Sequence, residues 1–258
     1  ETVWRGSSPA TIYLAMRPSI DDNALVALGK IDGVTAVEGL LQESVEWRLS
    51  PDDPWQPGGL NARDDYAQQK MARLELLSGA WPHKKTLAVG QGGDTGFGIQ
   101  PGTQVYLRVG DRETAMTVGG VIYDLVVQPP SFGGSVQFYT TREQFGHLTG
   151  SEDFNRVLAG TGAYDAKQAN AIADEMQDKL EKQAVESGGY APVMGGGRVA
   201  DPARHFFQDP LDGLFFIMGF MAAVALILGL FLVYNTITAL INRQINQIGI
   251  LKAVGAST

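Results

Sequence analysis

Three Asp–Asp pairs, three histidines and one glycine-rich stretch are the residues here whose types could do chemistry. Neighbouring carboxylates such as Asp21–Asp22, Asp52–Asp53 and Asp64–Asp65 can hold a cation or divide into a general acid and a general base. Each pair, however, sits beside Pro, Gly or a helix start, where capping and hydration account for it. His83, His147 and His205 lie far apart and form no pair of metal-ligand spacing. "GQGGDTGFG" (Gly90–Gly98) has the glycine content of a phosphate-cradling loop. It lacks the Lys-Ser/Thr ending and opens into "IQPGTQVYL" rather than a helical pattern, so a flexible β-turn is expected. The chain has no Cys, which excludes disulfides, thiolate metal sites and a Cys nucleophile, and it has no G-x-S-x-G elbow. These residues predict a non-catalytic protein with no metal or other cofactor.

Charge is informative where catalytic chemistry is not. The formal net charge of -8 argues against a nucleic-acid binder, which would carry a basic stripe. All acidic residues lie at or before Asp212, and Arg243 and Lys252 are the charges that follow. An acidic, water-seeking body thus precedes an apolar, weakly cationic end, an asymmetry that points to membrane attachment.

The apolar end contains "LFFIMGFMAAVALILGLFLVY", Leu214–Tyr234, with neither charge nor strongly polar side chain. As a helix it extends about 31 Å, enough to cross a hydrocarbon core. Phe215, Phe216 and Tyr234 suit the two interfaces, and Gly219, Ala222, Ala223, Ala225 and Gly229 suit close helix contact or ordinary membrane-helix composition. The cations that follow the run place residues 242–258 in the cytoplasm and residues 1–210 outside it.

The elements of the body are expected to be α+β. "TIYLAMRP" reads as a strand and "SIDDNALVALGKIDGV" as a helix, with Ser19 as N-cap and Asp22 three residues on. "VTAVEGLLQESVEWRL" reads as a strand, and "SPDDPWQPGG" (Ser50–Gly59) as a loop. Short β-rich segments follow: "TLAVG", "TQVYLRVG", "ETAMTVGGVIYDLVV" and "SVQFYTT". "NRVLAG" is another strand. After it comes a helix whose Ala169, Ile172, Ala173, Met176, Leu180 and Ala184 recur at 3–4 spacing, with Glu175–Lys179 and Asp178–Lys182 as i,i+4 pairs. "GYAPVMGGGRV" contains one last strand. The expected architecture is two βαβ-like halves (1–59 and 155–210) split by a β-rich lobe (60–154). A transmembrane helix (211–241) and a cytoplasmic segment (242–258) complete it. "ETVWRGSSPATIYL" has no Met start or leader, and "AVGAST" no stop signal, so a piece of a longer protein is expected.

Past Tyr234 the period persists: Ile237, Leu240, Ile241, Ile245, Ile248 and Leu251 keep 3–4 spacing among Asn235, Thr236, Asn242, Arg243, Gln244, Asn246 and Gln247. The helix therefore narrows to one apolar stripe, which a lipid interface, a neighbouring helix or a partner protein must cover. "NTITALINRQINQIGILKAVGAS" is similar to the stretch after the second membrane helix of FtsX-like (MacB-type) ABC transporter permeases. The shared pattern falls on Asn235, Thr236, Arg243, Ile248, Gly249, Ile250, Leu251, Lys252, Ala253, Val254, Gly255, Ala256 and Ser257. Gln247 stands where many members have Glu, and Asn246 where they often have a basic residue. Upstream, "LELLSGAWPHKKTLAVGQ", "FGIQPGTQVYLRVGD" and "MTVGGVIYD" resemble the β-rich lobe of the outer domain in the same family.

That resemblance implies a permease subunit of an ABC transporter with a large extracytoplasmic domain between its first and second membrane helices. It implies pairing with a separate ATP-binding subunit and with a second permease copy, in contact with membrane lipid and with a possible periplasmic or extracellular partner. ATP hydrolysis in the partner would move the outer domain, for export, lipoprotein release or regulation of an envelope enzyme. On this resemblance Asn246–Ser257 meet the ATPase, and Arg243, Gln247, Ile248, Gly249, Ile250, Leu251, Lys252 and Gly255 carry the coupling. Two other readings stay open: a single-pass anchored binding or sensor domain, and a membrane-tethered hydrolase.

Overall fold

A computed structural model describes residues 6–128, 130, 133–186, 193–194, 198–204, 208–253 and 255. In chain order its elements are β1 (Ile12–Ile20), α1 (Asp22–Leu28), β2 (Val34–Arg48), β3 (Gln56–Arg63), β4 (Glu75–Gly79) and β5 (Thr86–Gly90). Then come α2 (Gly93–Phe97), β6 (Gln104–Val109), β7 (Arg112–Tyr123), β8 (Val136–Thr141), α3 (Arg142–Thr149) and β9 (Phe154–Thr161). The chain continues with α4 (Ala166–Glu186), β10 (Val193–Met194), β11 (Arg198–Val199) and α5 (Gln208–Ala253).

The two strand–helix–strand units interlock. β9 lies between β1 and β2 and is antiparallel to both, while β1 lies between β9 and the β10/β11 pair. Each unit thus leaves a gap that a strand of the other fills, an arrangement known as split βαβ. α1 and α4 cover one face of this sheet. Ala169, Ile172, Met176 and Leu180, at the spacing the sequence predicts, are buried with Ile12, Leu14, Met16, Leu28 and Val157. Burial of each large apolar side chain stabilises by about 1.5–3 kcal/mol relative to exposure. On α4's outer face Gln177 donates to Glu181 Oε1 at 3.0 Å; the expected Glu175–Lys179 and Asp178–Lys182 pairs are not closed as salt bridges.

The β-rich part is a ring. The second half of β2 pairs with β3, β3 with β8, β8 with β5, β5 with β7, β7 with β6, and β6 with β2 through Glu46–Arg108, Trp47–Leu107 and Arg48–Tyr106. Closure removes the sheet edges that would otherwise be left unpaired. Alternate residues point inward, as strand geometry requires: Val45 and Trp47, Leu60 and Ala62, Leu87 and Val89, Val105 and Leu107, Met116 and Val118, Val136 and Phe138. Trp47 fills the centre, edge-on to Phe138 at 5.8 Å and to Phe97 at 5.0 Å.

Three local expectations change. Ser19 stays inside β1, and Asp21 caps α1 instead, its Oδ1 accepting from Ala24 N at 2.8 Å. The β1 ladder runs on to Ile20, opposite Phe154, so the helix starts later. Gly58 and Gly59, expected in a loop, belong to β3; a Cβ on Gly58 would stand 2.8 Å from the Trp47 ring, so the bare backbone lets β3 lie against that indole. The glycine-rich stretch forms the short helix α2 rather than a β-turn. Gly92 and Gly98, with φ of 102° and 69°, bound it, and Gly92 N donates to Asp94 Oδ1 at 2.9 Å.

α5 forms a separate unit from residue 206 onward. Among the described residues it is the one helix long and apolar enough to cross a membrane, over Leu211–Leu251, and residues 214–245 are exposed.

Candidate functional site

The family-like motif lies on the last turns of α5. Arg243, Gln247, Ile248, Gly249, Ile250 and Leu251 are exposed there, and Lys252 lies on the same helix; Gly255 follows its end with φ of 92°. A left-handed glycine is the common way to finish an α-helix, because it lacks the Cβ that disfavours that backbone. At about 100° per residue, Ile237, Leu240, Ile241, Ile245, Ile248 and Leu251 fall along one stripe. Ile250 departs from it and joins Arg243 and Gln247 on another side. Gly249 leaves a notch between neighbouring side chains, with nothing within 4 Å of where a Cβ would be. Thr236 returns its hydroxyl to Leu232 O at 2.8 Å, so the polar group is satisfied within the helix. Cations near a helix C-terminus complement its dipole. The segment can dock through its apolar stripe, with Arg243 on another side; among its described residues it presents no acid–base pair.

In residues 6–204 the acid pairs have structural work. Arg142 gathers Asp22 and Asp64: Nη1 donates to Asp22 Oδ1 at 2.9 Å and Asp64 Oδ1 at 2.8 Å, and Nη2 to Asp22 Oδ2 at 2.9 Å. Its Nε donates to Glu152 O, and its guanidinium lies 4.2 Å from the centre of the Phe154 ring. The Arg142 hydrogen bond holds the Asp22 carboxyl below its ordinary pKa, against a smaller effect of burial. Asp53 accepts from Ser50 N and Asp65 from Ala67 N, as turn-forming carboxylates do. His83 Nδ1 meets Thr86 Oγ1, His147 lies 3.7 Å from Glu143, and His205 lies outside the described residues. Among the described residues no group of three His, Cys, Asp or Glu is arranged to hold a metal.

Sequence reading did not anticipate a cavity of about 300 Å³ on the helix-free side of the split βαβ sheet. Tyr13 and Ala15 of β1, Leu40 and Gln42 of β2, and Arg156 and Leu158 of β9 form its floor. Asn61–Leu74 and Asp124–Val127 form its walls, with Tyr139. Glu38 and Arg63 pin the first wall: Arg63 Nη1 donates to Glu38 Oε1 at 3.0 Å and to Met71 O, and Nη2 to Ala72 O. Asp124 pins the second, accepting from Val126 N and from Tyr139 Oη, both at 2.8 Å. Burial pushes the Asp124 carboxyl above its ordinary pKa, against those hydrogen bonds and the Arg63 charge. Burial likewise raises Tyr66 and Tyr139, whose hydroxyls stay protonated donors. The available signal was polar Gln42, Asn61, Arg63 and Arg156 next to apolar residues of β2, β3 and β9.

No protein-family model matches the chain. No curated protein matches it significantly. Three solved structures of transporter or permease domains are similar to this chain. The extracellular domain of the noncanonic ABC-type transporter YknZ from Gram-positive bacteria is 18% identical, with a TM-score of 0.49 over 72% of this chain and 100% of that one. The periplasmic region of MacB from Actinobacillus actinomycetemcomitans is 12% identical, with a TM-score of 0.46 over 74% and 90%. A domain of a putative permease from Porphyromonas gingivalis is 16% identical, with a TM-score of 0.41 over 69% and 87%.

Proposed function

We propose that this chain is part of a permease subunit of an ABC transporter, with residues 1–210 extracytoplasmic and residues 242–258 cytoplasmic. The observation that carries the reading is the continuity of α5, which takes the apolar run into the Arg243–Lys252 motif with no break between them. A helix without a hinge transmits displacement from one end to the other. A docking surface at its cationic end is therefore mechanically joined to its membrane-spanning part. Arg243, Gln247, Ile248, Gly249, Ile250, Leu251, Lys252 and Gly255 meet a separate ATP-binding subunit. That partner hydrolyses ATP, and this subunit is non-catalytic. A second permease copy completes the assembly, and the outer domain works on export, lipoprotein release or an envelope enzyme.

The test uses the full-length protein purified from its native membrane. An ATP-binding subunit should copurify, and Arg243→Glu with Lys252→Glu should lower its recovery about tenfold, the equivalent of about 1.4 kcal/mol. If no ATPase accompanies the wild type, the reading is wrong. A single-pass anchored binding domain then becomes the better account, because the body already contains a cavity of small-molecule size.

A further inference from the structure

We infer that the cavity between the β1–β9–β2 sheet and the Asn61–Leu74 wall binds a small carboxylate-bearing amphiphile. Its anionic end would pair with Arg156, and its apolar body would lie along Leu40, Leu158, Val126 and Val127. This goes beyond the permease reading and does not depend on it.

The volume, about 300 Å³, lies at the lower end of the range for small-molecule sites. Such sites combine mostly apolar walls with a few convergent polar groups, and this cavity has that composition. Its three charged lining residues differ in how they are satisfied. Arg63 is paired with the Glu38 carboxylate and with two carbonyls. Asp124 is held by a backbone N–H and a tyrosine hydroxyl.

Arg156 has neutral partners alone: Nε donates to Gln42 Oε1 and Nη1 to Asn155 O, both at 3.1 Å. Among the described residues no carboxylate reaches it within salt-bridge distance, and Nη2 makes no hydrogen bond. Burial lowers its pKa and the nearby Arg17 adds to the effect, with Glu43 opposing both, yet an arginine stays charged in protein. A half-buried guanidinium without an anion is costly, and a ligand anion offsets that cost.

The planar guanidinium favours a planar carboxylate. The Asp124 carboxyl would repel a ligand anion from its own part of the lining, so charge fixes which end of the ligand meets Arg156. A volume of about 300 Å³ suits a short chain rather than a helix or strand of a partner.

The experiment uses the 258-residue chain in lipid nanodiscs, with octanoate, octanol and acetate as probes and empty nanodiscs subtracted. Octanoate should saturate at one molecule per chain, and octanol and acetate should bind about tenfold or more weakly, as loss of either the charge pair or the apolar contacts requires. Arg156→Gln should weaken octanoate about tenfold while leaving octanol within about twofold. Leu158→Trp should remove octanoate binding by filling the space. Octanoate binding no greater than that of empty nanodiscs overturns the inference. So does octanol binding as tight as octanoate in the wild type, a comparison that needs no variant to fold. Because ATPase recovery is not part of this readout, either proposal can fail alone.

Discussion

Glu38 accepts from Arg63 Nη1 and from the backbone N–H groups of Lys70 and Met71, all at 3.0 Å. One half-buried carboxylate therefore holds the chain segment that walls the cavity, and the buried Arg63 closes the same contact from the other side. Removing one member of a buried pair strands the other, so Arg63→Ala should cost about 3–5 kcal/mol. Paired replacement, Arg63→Met with Glu38→Leu, should recover only part of that loss: it strands no charge, but the Lys70 and Met71 N–H groups and the Met71 and Ala72 carbonyls lose these partners. Chemical denaturation of the three proteins checks both statements, and equal losses in single and double variants would contradict them. Asp124 makes a prediction of the opposite kind. Its folded pKa is raised above 3.8 by burial, so between the ordinary and folded values the folded protein binds the extra proton. Stability contributed by Asp124 is therefore greatest below the ordinary value and falls as pH rises through the folded one, then levels. The stability of wild type relative to Asp124→Asn should decline from about pH 3 upward. A difference that does not change with pH would remove the argument.

At the scale of elements, β2 is the strand that belongs to both parts of the body, since its first half pairs with β9 and its second half with β3 and β6. Gly39 lies at the end of the first half, and a Cβ there would stand 2.5 Å from the ring of the fully buried Phe154. Gly39→Ala should destabilise by about 1–3 kcal/mol, as overpacking a filled core does. Gly162→Ala, with nothing within 4 Å and no positive φ, is the control and should change stability by less than about 0.5 kcal/mol. Similar thermal midpoints for both variants would show that the Phe154 contact relaxes. The same strand marks what was legible in the sequence. α4 was readable because Ala169, Ile172, Met176 and Leu180 repeat at the helical period, and β1, β2 and β9 because β-branched and apolar residues cluster in them. The ring closure was not readable, because pairing of β6 with β2 joins residues some sixty positions apart and leaves no local mark. β3 was missed at Gly58–Gly59, where turn chemistry outweighs strand propensity until Trp47 supplies the packing reason. The cavity was missed for a related reason: Gln42 and Arg156 meet only after β2 and β9 pair.

The whole molecule raises the question of sidedness, which its lack of cysteine makes directly measurable. α5 has 46 residues, so at 1.5 Å per residue it extends about 69 Å, roughly twice the hydrocarbon thickness of a bilayer. If it spans a bilayer, part of it therefore projects into water. The cations decide which part: Arg243 and Lys252 follow the uncharged run, and the acids all precede it at or before Asp212. Lysine and arginine near a span are retained on the cytoplasmic side, so the motif end should be inside and α4 outside. Asp178 of α4 and Gln247 of α5 are both exposed, so a cysteine at either position is reachable by a reagent on its own side. In intact cells a membrane-impermeant maleimide should label Asp178→Cys and spare Gln247→Cys, and permeabilisation should make both equally reactive. Mid-span charge supplies the matching control. Leu226→Arg adds about 2.5–3.5 kcal/mol to insertion at the helix centre and should reduce recovery in the membrane fraction, whereas Asn242→Arg should not. Labelling of Gln247→Cys in intact cells would invert the topology and move the motif away from any cytoplasmic ATPase. Equal membrane recovery of Leu226→Arg and Asn242→Arg would instead deny that this helix spans the bilayer. The labelling and recovery experiments therefore separate a wrong orientation from a wrong assignment of the helix.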